Sequence, residues 1–262
     1  YDHAYGGYSY ARISSGTGTA TSGNANGNTL TIIAGGSVGI ADNNGYSAYG
    51  GYSYAYSFTG NAKSGEASSN TVYVQSGSNG DVYGGASKAV TAFVSNRQTA
   101  TSAAADKNKV YISGGSVGNV YGGYSGASGS TTARSGTASN NTVTISGSST
   151  ISGNVYGGSS YAYGGSSSAS GDASNNVINI YGSPNLTAAT LYGGYSEASG
   201  NGTKTVGSSS GNTLNIYTSK LSVNNILNFA NINFYLPASV VSGDTILTLT
   251  GGTTDLSDAA IK

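Results

Sequence analysis

The side chains that most often carry catalysis or bind metals are few in this sequence and lie far apart along it. The chain contains one histidine, His3, and no cysteine, methionine or tryptophan. Without thiols it has no disulfide, no thiolate metal site and no thiol redox chemistry. A Ser-His-Asp site needs a histidine held in place by a serine and an aspartate, whereas His3 follows Asp2 near the start of the sequence, where we expect frayed residues.

The acidic residues are the next candidates, because enzymes that cut polysaccharides use two facing carboxylates. Nearly every Tyr-Gly-Gly repeat of the chain contains one acid, but Glu197 follows Tyr192 by five residues, whereas Asp81 precedes Tyr83 by two. Acids that drift in this way do not form a pair. We therefore predict no catalytic residue, no metal site and no cofactor, and solvated loop charges instead. The acids are Asp2, Asp42, Glu66, Asp81, Asp106, Asp172, Glu197, Asp244, Asp255 and Asp258.

Calcium would require a further pattern, in which an aspartate recurs in every short glycine-rich turn. The Tyr-Gly-Gly triplets of this sequence are followed by tyrosine, alanine or serine instead. Calcium bound in every repeat is therefore not expected, and an isolated calcium site is left open.

Tyrosine is abundant, with 22 residues against four phenylalanines. Rows of exposed tyrosines could stack on sugars or anchor a protein partner. They could also simply pack against each other along a repetitive fold, which is the interpretation we favour. If the tyrosines bind a ligand, the candidate ligand-binding residues are Tyr52, Tyr54, Tyr124, Tyr161 and Tyr195.

Two motifs recur along the chain and must position these side chains. A Tyr-Gly-Gly triplet begins at Tyr5, Tyr49, Tyr83, Tyr121, Tyr156 and Tyr192, with spacings of 44, 34, 38, 35 and 36 residues. An Asn-x-apolar-x-Ile/Val motif begins at Asn28, Asn70, Asn108, Asn141, Asn176 and Asn212. Because two unrelated motifs share one drifting period, the sequence predicts a repeat of about 36 residues.

Each repeat has the pattern of short strands rather than helices. The second motif alternates apolar and polar residues, which is typical of a strand with one buried face. Stacked repeats can bury that face by pairing strands at about 4.8 Å. We therefore predict an all-β fold, an elongated parallel β-helix or β-solenoid of about six repeats, with an asparagine ladder, a stack of the triplet tyrosines and a thin interior of small residues. One repeat could make two turns, or one large turn with a projecting hairpin.

The composition changes near residue 217. Leu, Ile, Val and Phe number 29 in residues 1–217 and 15 in residues 218–262. Since a repeat array needs an atypical end unit to cover its core, we assign 1–217 to the repeats and 218–262 to a C-terminal capping and junction segment. We expect this cap to be packed better than any repeat, with five side chains facing inward. They are Phe229, Phe234, Leu236, Ile246 and Leu247.

The tail and the repeats together resemble a known family. The run Asn-Phe-Ala-Asn-Ile-Asn-Phe-Tyr-Leu-Pro at 228–237, the run Gly-Asp-Thr-Ile-Leu at 243–247 and the upstream Val-Tyr-Gly-Gly-Tyr-Ser repeats are similar to passengers of large repetitive type V autotransporter adhesins of anaerobic and gut bacteria. The resemblance implies an export signal upstream and a membrane β-barrel downstream, through which alone the passenger would be attached. It also implies a secreted, outer-membrane virulence factor that binds a host-cell or bacterial surface protein or glycan.

Charge and hydropathy narrow the alternatives. The chain carries ten basic and ten acidic residues, and a chain without basic excess lacks the electrostatic footprint of a nucleic-acid-binding protein. No run of 18 apolar residues occurs, so no helix spanning a bilayer is predicted. The sequence therefore favours a non-enzymatic, extracellular structural and adhesive domain. The alternatives are a filament or surface-layer subunit that self-associates through strand edges, and a carbohydrate-active β-helix enzyme.

Overall fold

The structure is a computed structural model that describes residues 3–33, 46–77, 79–92, 97–252 and 254–262. The described residues form β-strands and no helix, and so none of them belongs to a helix long and apolar enough to cross a membrane. Asp2 and Asp42, two of the ten acids, lie outside the described residues.

The strands are short and recur in groups of three. Numbered in chain order, they are β1 (Ala4–Ile13), β2 (Thr19–Thr21), β3 (Thr29–Ile32), β4 (Ala48–Ser57), β5 (Asn61–Lys63), β6 (Thr71–Val74), β7 (Val82–Thr91), β8 (Thr99–Thr101), β9 (Lys109–Ile112), β10 (Ser116–Val117), β11 (Val120–Gly129), β12 (Thr132–Arg134), β13 (Thr142–Ile145), β14 (Thr150–Ile151), β15 (Val155–Tyr156), β16 (Ser159–Gly164), β17 (Ser167–Ala169), β18 (Val177–Ile180), β19 (Leu186–Tyr192), β20 (Tyr195–Ser199), β21 (Thr203–Thr205), β22 (Thr213–Ile216), β23 (Leu221–Leu227), β24 (Asn231–Phe234), β25 (Leu247–Leu249) and β26 (Ala260–Ile261).

These strands stack into three parallel sheets that run the length of the molecule. The first sheet contains β1, β4, β7, β11, β15 with β16, β19 with β20, β23 and β25. The second contains β2, β5, β8, β12, β17 and β21, and the third runs from β3 through β6, β9, β13, β18, β22 and β24 to β26. Strands β10 and β14 form a small sheet of their own. The predicted parallel β-solenoid is confirmed.

Each repeat makes one coil, and the two-turn alternative is wrong. Tyr49 is the register partner of Tyr5 in the preceding coil and of Tyr83 in the following coil, so one repeat advances the chain by one strand spacing. A repeat of about 36 residues fits into a single coil because the small residues after each triplet form a third strand, the three-residue strand of the second sheet. Five intervals between six triplets therefore rise about 24 Å.

The interior has two parts with different side chains. Between the first and third sheets lies an aliphatic core in which Val110, Ile112, Val143 and Ile145 are fully buried. Between the first and second sheets the core consists of alanines. They are Ala20, Ala55, Ala62, Ala89, Ala100, Ala127, Ala133 and Ala162. The predicted thin interior is thus correct for one half of the coil, where two strands approach closely enough to exclude larger side chains.

The predicted asparagine ladder is confirmed, and its six residues directly precede β3, β6, β9, β13, β18 and β22 of the third sheet. From Asn28 to Asn176, each backbone N–H donates to the Oδ1 atom of the asparagine in the next coil at 2.8–2.9 Å. Each Nδ2 donates to the same oxygen at 3.0–3.2 Å. At the end of the ladder, Asn212 donates instead to the carbonyl oxygens of Ala173, Ser209 and Asn228. The ladder satisfies buried backbone groups that no strand pairs.

The glycines of the triplets pack against this ladder, which explains why the two sequence motifs keep step. A Cβ atom at Gly84 would overlap the carbonyl oxygen of Gly122 and lie 2.8 Å from the Cβ of Asn108. A Cβ at Gly85 would overlap the carbonyl oxygen of Ala67 and lie 2.7 Å from Oδ1 of Asn108. The glycines therefore permit close backbone approach rather than a special turn.

A second ladder, which the sequence analysis missed, joins serines inside the coils. Ser125 Oγ donates to the carbonyl oxygen of Ala103 at 2.8 Å and accepts the N–H of Gly136 at 2.9 Å. Each pair has its two Oγ atoms 2.8 Å apart, and the pairs are Ser22–Ser53, Ser64–Ser87, Ser102–Ser125, Ser135–Ser160 and Ser170–Ser196. The signal was available in the sequence, because a serine follows every triplet tyrosine by four residues.

The C-terminal segment continues the first and third sheets but is less tightly packed than the repeats. Phe229 is 7% exposed, Phe234, Ile246 and Leu247 are half-buried, and Leu236 is 51% exposed. The expectation that all five side chains face inward in the best-packed part of the chain is therefore wrong. The reason is geometric, because residues of the last coil cover the aliphatic core from one side and have no further coil above them. The partly buried residues that pack on the core there include Phe234, Leu247, Leu249, Leu256 and Ala259.

Candidate functional site

The outer surface of the first sheet carries most of the tyrosines in straight columns, and we call this surface the tyrosine face. Its first column contains Tyr5, Tyr49, Tyr83, Tyr121, Tyr156 and Tyr192. Neighbouring rings in this column have centroids 4.6–5.3 Å apart and planes within 11° of parallel. The predicted stack of triplet tyrosines is confirmed, because parallel pairing in register places identical side chains directly above one another.

Two further columns contain the five candidate ligand-binding residues. The second column, in register order, is Tyr8, Tyr52, Ala86, Tyr124, Ser159 and Tyr195. The third is Tyr10, Tyr54, Lys88, Gly126, Tyr161 and Glu197. Tyr52, Tyr54, Tyr124, Tyr161 and Tyr195 therefore share one face, although they are spread over four coils.

The rings of the second column adopt two orientations. Tyr52 lies nearly parallel to Tyr49, at 15° and 4.6 Å. Tyr124 stands edge-on to Tyr121 at 75°. It can do so because Gly126 has no side chain and the Tyr124 ring lies across that position, where a Cβ would be 2.6 Å from the Tyr124 hydroxyl.

The interruptions in the columns open clefts between the rings. One cleft of about 160 Å³ lies over Ala86 and is lined by tyrosines of three coils and by Lys88. A second, of about 170 Å³, lies over Ser159 and is lined by tyrosines alone apart from that serine. Rigid rings around a gap of this size form a surface on which flat or ring-shaped groups can stack.

The tyrosine face is almost uncharged at neutral pH. Burial, followed by the charge of neighbouring tyrosines when ionised, raises the pKa of Tyr5, Tyr54 and Tyr124 to about 12. The same causes raise the pKa of Tyr52 still further. Tyr195 donates a hydrogen bond to the carboxylate of Glu197, which is the main reason that its pKa is raised. The phenols therefore remain hydrogen-bond donors throughout the physiological range.

These pKa values predict alkaline unfolding. In the unfolded chain tyrosine ionises near pH 10, whereas Tyr5, Tyr54 and Tyr124 hold their protons to about pH 12 in the fold. Between those two values the unfolded state loses protons that the folded state keeps, so stability falls as pH rises. Ultraviolet absorbance of tyrosinate should show a group of tyrosines in the folded protein that ionises only with loss of structure, at about pH 12. In urea all should titrate near pH 10; one transition near pH 10 in the intact fold would contradict the prediction.

A smaller set of rings and amides lies on the outer surface of the third sheet. Tyr73 stacks on Tyr111 at 5.0 Å, and a second stack, centroids 4.2 and 4.4 Å apart, joins Tyr181, Tyr217 and Tyr235. Beside the latter, Asn215 donates to Asn179 at 2.9 Å and Asn233 donates to Asn215 at 2.8 Å. This surface faces solvent, and neither of the two clefts of the tyrosine face extends to it.

Three of the acids act as acceptors between coils rather than as free loop charges, whereas Glu197, Asp244 and Asp255 accept from residues two or three positions away. Asp81 accepts the N–H of Asn119, Asp106 accepts that of Ser139, and Asp172 accepts that of Ser208, each at 2.7 Å. Across the described ranges, no group of three or more histidine, cysteine, aspartate or glutamate side chains could hold a metal ion.

His3 is not frayed, contrary to the expectation from its position. Its Nδ1 atom accepts the N–H of Ser47 at 3.0 Å. Its ring also lies 5.8–5.9 Å from the rings of Tyr5, Tyr46 and Tyr49. The histidine therefore ties the first described coil to the second.

Comparison with protein-family models, with curated proteins and with solved structures finds no match. The function of the chain has therefore to be inferred from the geometry of the tyrosine face.

Proposed function

We propose that this chain is a structural and adhesive domain of the bacterial cell surface, which presents the tyrosine face to a protein or glycan on a host cell or another bacterium. The observation that carries the proposal is the alignment of stacked tyrosines in three columns on one side of a stiff solenoid. Polar side chains elsewhere, such as the asparagine, serine and aspartate ladders, are engaged between coils. The tyrosine face is the repetitive surface that is presented to a partner on this proposal.

The stacked rings suit adhesion for two physical reasons. Tyrosine contributes a large, amphipathic contact area, and rings already held by their neighbours lose little conformational entropy when a partner binds. Repetition along the axis also offers several equivalent contacts, so that weak individual contacts add up through effective concentration.

The resemblance to autotransporter passengers extends the proposal to location. On this view the chain is part of a secreted passenger outside the outer membrane, attached through a downstream barrel, and it contributes to virulence through adhesion. The absence of cysteine suits export, because a disulfide formed early would obstruct threading through a narrow pore.

Adhesion is tested with the purified chain on fluorescent beads. Replacing Tyr54 and Tyr161 with serine is expected to reduce bead binding to epithelial cells or to a bacterial panel at least tenfold, since contact rings at the centre of an interface dominate affinity. The matched control replaces Tyr73 and Tyr111, which are stacked on the third sheet, and should bind as the parent does. Equal binding by both folded double variants would refute the role of the tyrosine face.

The acids of the chain support a non-enzymatic role as part of the same proposal. The carboxylates of Asp81 and Asp106 accept backbone N–H groups of the next coil, which leaves them poorly suited to act as a facing acid and nucleophile. Incubation with a panel of polysaccharides should give no new reducing ends and no unsaturated products. Turnover that disappears when two neighbouring acids are replaced would favour the carbohydrate-active alternative.

A further inference from the structure

The second tyrosine column is interrupted at one coil where a ring is missing and a cation is present. Ala86 occupies the register position between Tyr52 and Tyr124. Tyr52 stacks on Tyr8 of the preceding coil, with ring centroids 5.6 Å apart, and on Tyr49 of its own coil. The following coil offers the methyl group of Ala86 instead of a ring at the same register position. Ala86 is 2% exposed, so a ligand would rest on the surrounding rings and not on the strand itself.

The size of the gap favours a sugar over an aromatic ring. Tyr52 and Tyr124 are two coils apart, about 9.6 Å along the axis, and Tyr124 stands edge-on to its neighbours. The cleft therefore has no pair of parallel ring faces at the spacing of about 7–8 Å that would hold one flat ring between them. A puckered pyranose is thicker than a flat ring and fills the wider gap. Its apolar C–H face would lie on Tyr52, and its hydroxyls would meet phenols that remain protonated.

Lys88 supplies the charge of the cleft. It lines the Ala86 cleft, is the register partner of Tyr54, and keeps an exposed side chain. Within the described part of the chain its ammonium has neither a salt bridge nor a hydrogen-bond acceptor. The rings packed around its stem partly desolvate the ammonium and lower its pKa, with no opposite charge to offset the effect. The Ser159 cleft has no cation in its lining and lies beside Glu197.

We propose that the Ala86 cleft binds an acidic sugar unit of a glycan, a uronic-acid or sialic-acid type of residue, with its ring on Tyr52 and its carboxylate on the Lys88 ammonium. The ammonium provides three donors for one carboxylate, and the ring provides the stacking surface. This assignment rests on the proposed adhesive function and names the chemical class of its ligand.

The test uses the whole chain and paired probes that differ in charge. Isothermal titration compares trigalacturonate with its methyl ester, and sialyllactose with lactose. The acidic member of at least one pair should bind at least tenfold more tightly than its neutral counterpart. Lys88→Gln should remove that difference, leaving the affinity for the neutral probe unchanged.

A filling substitution tests the place of binding. Ala86→Tyr restores the ring found at the equivalent position of the two preceding coils and should abolish binding of the acidic probe. Thr144→Tyr, which extends the Tyr73–Tyr111 stack on the third sheet, is the matched control and should bind as the parent does. If Ala86→Tyr does not fold, as judged by circular dichroism and thermal unfolding, Lys88→Gln alone decides.

Three outcomes would overturn the inference. The first is equal binding of the acidic and neutral probes, including no binding of either. The second is unchanged binding of the acidic probe by Lys88→Gln or by a folded Ala86→Tyr, and the third is that Ser159→Tyr, and not Ala86→Tyr, abolishes that binding. Cell adhesion that persists in Lys88→Gln and Ala86→Tyr but disappears in the Tyr54/Tyr161 variant would reject the sugar site and leave the adhesive function standing.

Discussion

Replacing Asn141 with alanine is expected to lower the free energy of unfolding by about 3–5 kcal/mol. Asn141 lies in the middle of the buried ladder, where its Oδ1 accepts both the N–H and the Nδ2 of Asn108 at 2.9 and 3.2 Å. Its Nδ2 donates to Asn176 at 3.1 Å. Alanine would remove the acceptor of two buried donors, the N–H and the Nδ2 of Asn108, and each unsatisfied group costs about 1–3 kcal/mol. Urea unfolding followed by circular dichroism measures the loss.

The control for this prediction is an asparagine in the solvent-facing ladder of the third sheet. Asn215 also links two coils, donating to Asn179 and accepting from Asn233. Because water can replace those bonds, Asn215→Ala should cost less than about 1 kcal/mol. If Asn141→Ala and Asn215→Ala lower stability equally, burial of the inner ladder is not the reason for its strength.

Replacing Gly122 with alanine is expected to lower the free energy of unfolding by about 3 kcal/mol or more. The added methyl group would overlap the carbonyl oxygen of Gly157 in the next coil and lie 2.8 Å from the Cβ of Asn141. Both neighbours are rigid, so two coils would have to separate, which costs more than ordinary overpacking of about 1–3 kcal/mol. A shifted urea midpoint would report the loss.

Gly252 provides the matched glycine for this experiment. A Cβ at Gly252 would have no atom within 4 Å, and so Gly252→Ala should be neutral or slightly stabilising through the unfolded chain, by up to about 1 kcal/mol. Comparable destabilisation by Gly122→Ala and Gly252→Ala would show that the triplet glycines are not required by the approach of the coils.

The features that could be predicted from the sequence are those in which a residue type recurs in step with the coil. Asn141 and Tyr121 have identical partners in the coils before and after them, so spacing alone was enough to predict a ladder and a stack. The serine pairs met the same condition and were overlooked because serine is common throughout the chain. The prediction for the C-terminal segment was wrong for a different reason, because an apolar side chain is buried only where neighbouring coils cover it on both sides.

The candidate site was predictable in part. The sequence places Tyr52 and Tyr124 beside triplets, which indicates a common face once one repeat is known to make one coil. The number of turns was not fixed by a period of about 36 residues, because the three-residue strands of the second sheet, such as Thr99–Thr101, carry no pattern of their own. Nor could spacing show that Ala86 faces the gap between two rings, because the spacing of the triplets varies from 34 to 44 residues.

The register that joins one triplet tyrosine to the next has a consequence for how such a chain can evolve. Every coil offers the same asparagine, serine and tyrosine to the coil above and below, so a gene that lost one internal repeat would bring Tyr83 opposite Tyr156 with equivalent partners. Recombination between repeats can therefore lengthen or shorten the molecule by whole coils, about 4.8 Å at a time. Inserting or deleting one or two residues inside a strand would instead shift its register and take the side chains of that coil out of line with their columns. The length of the solenoid can therefore change in steps of one coil while the side chains of each remaining coil stay the same.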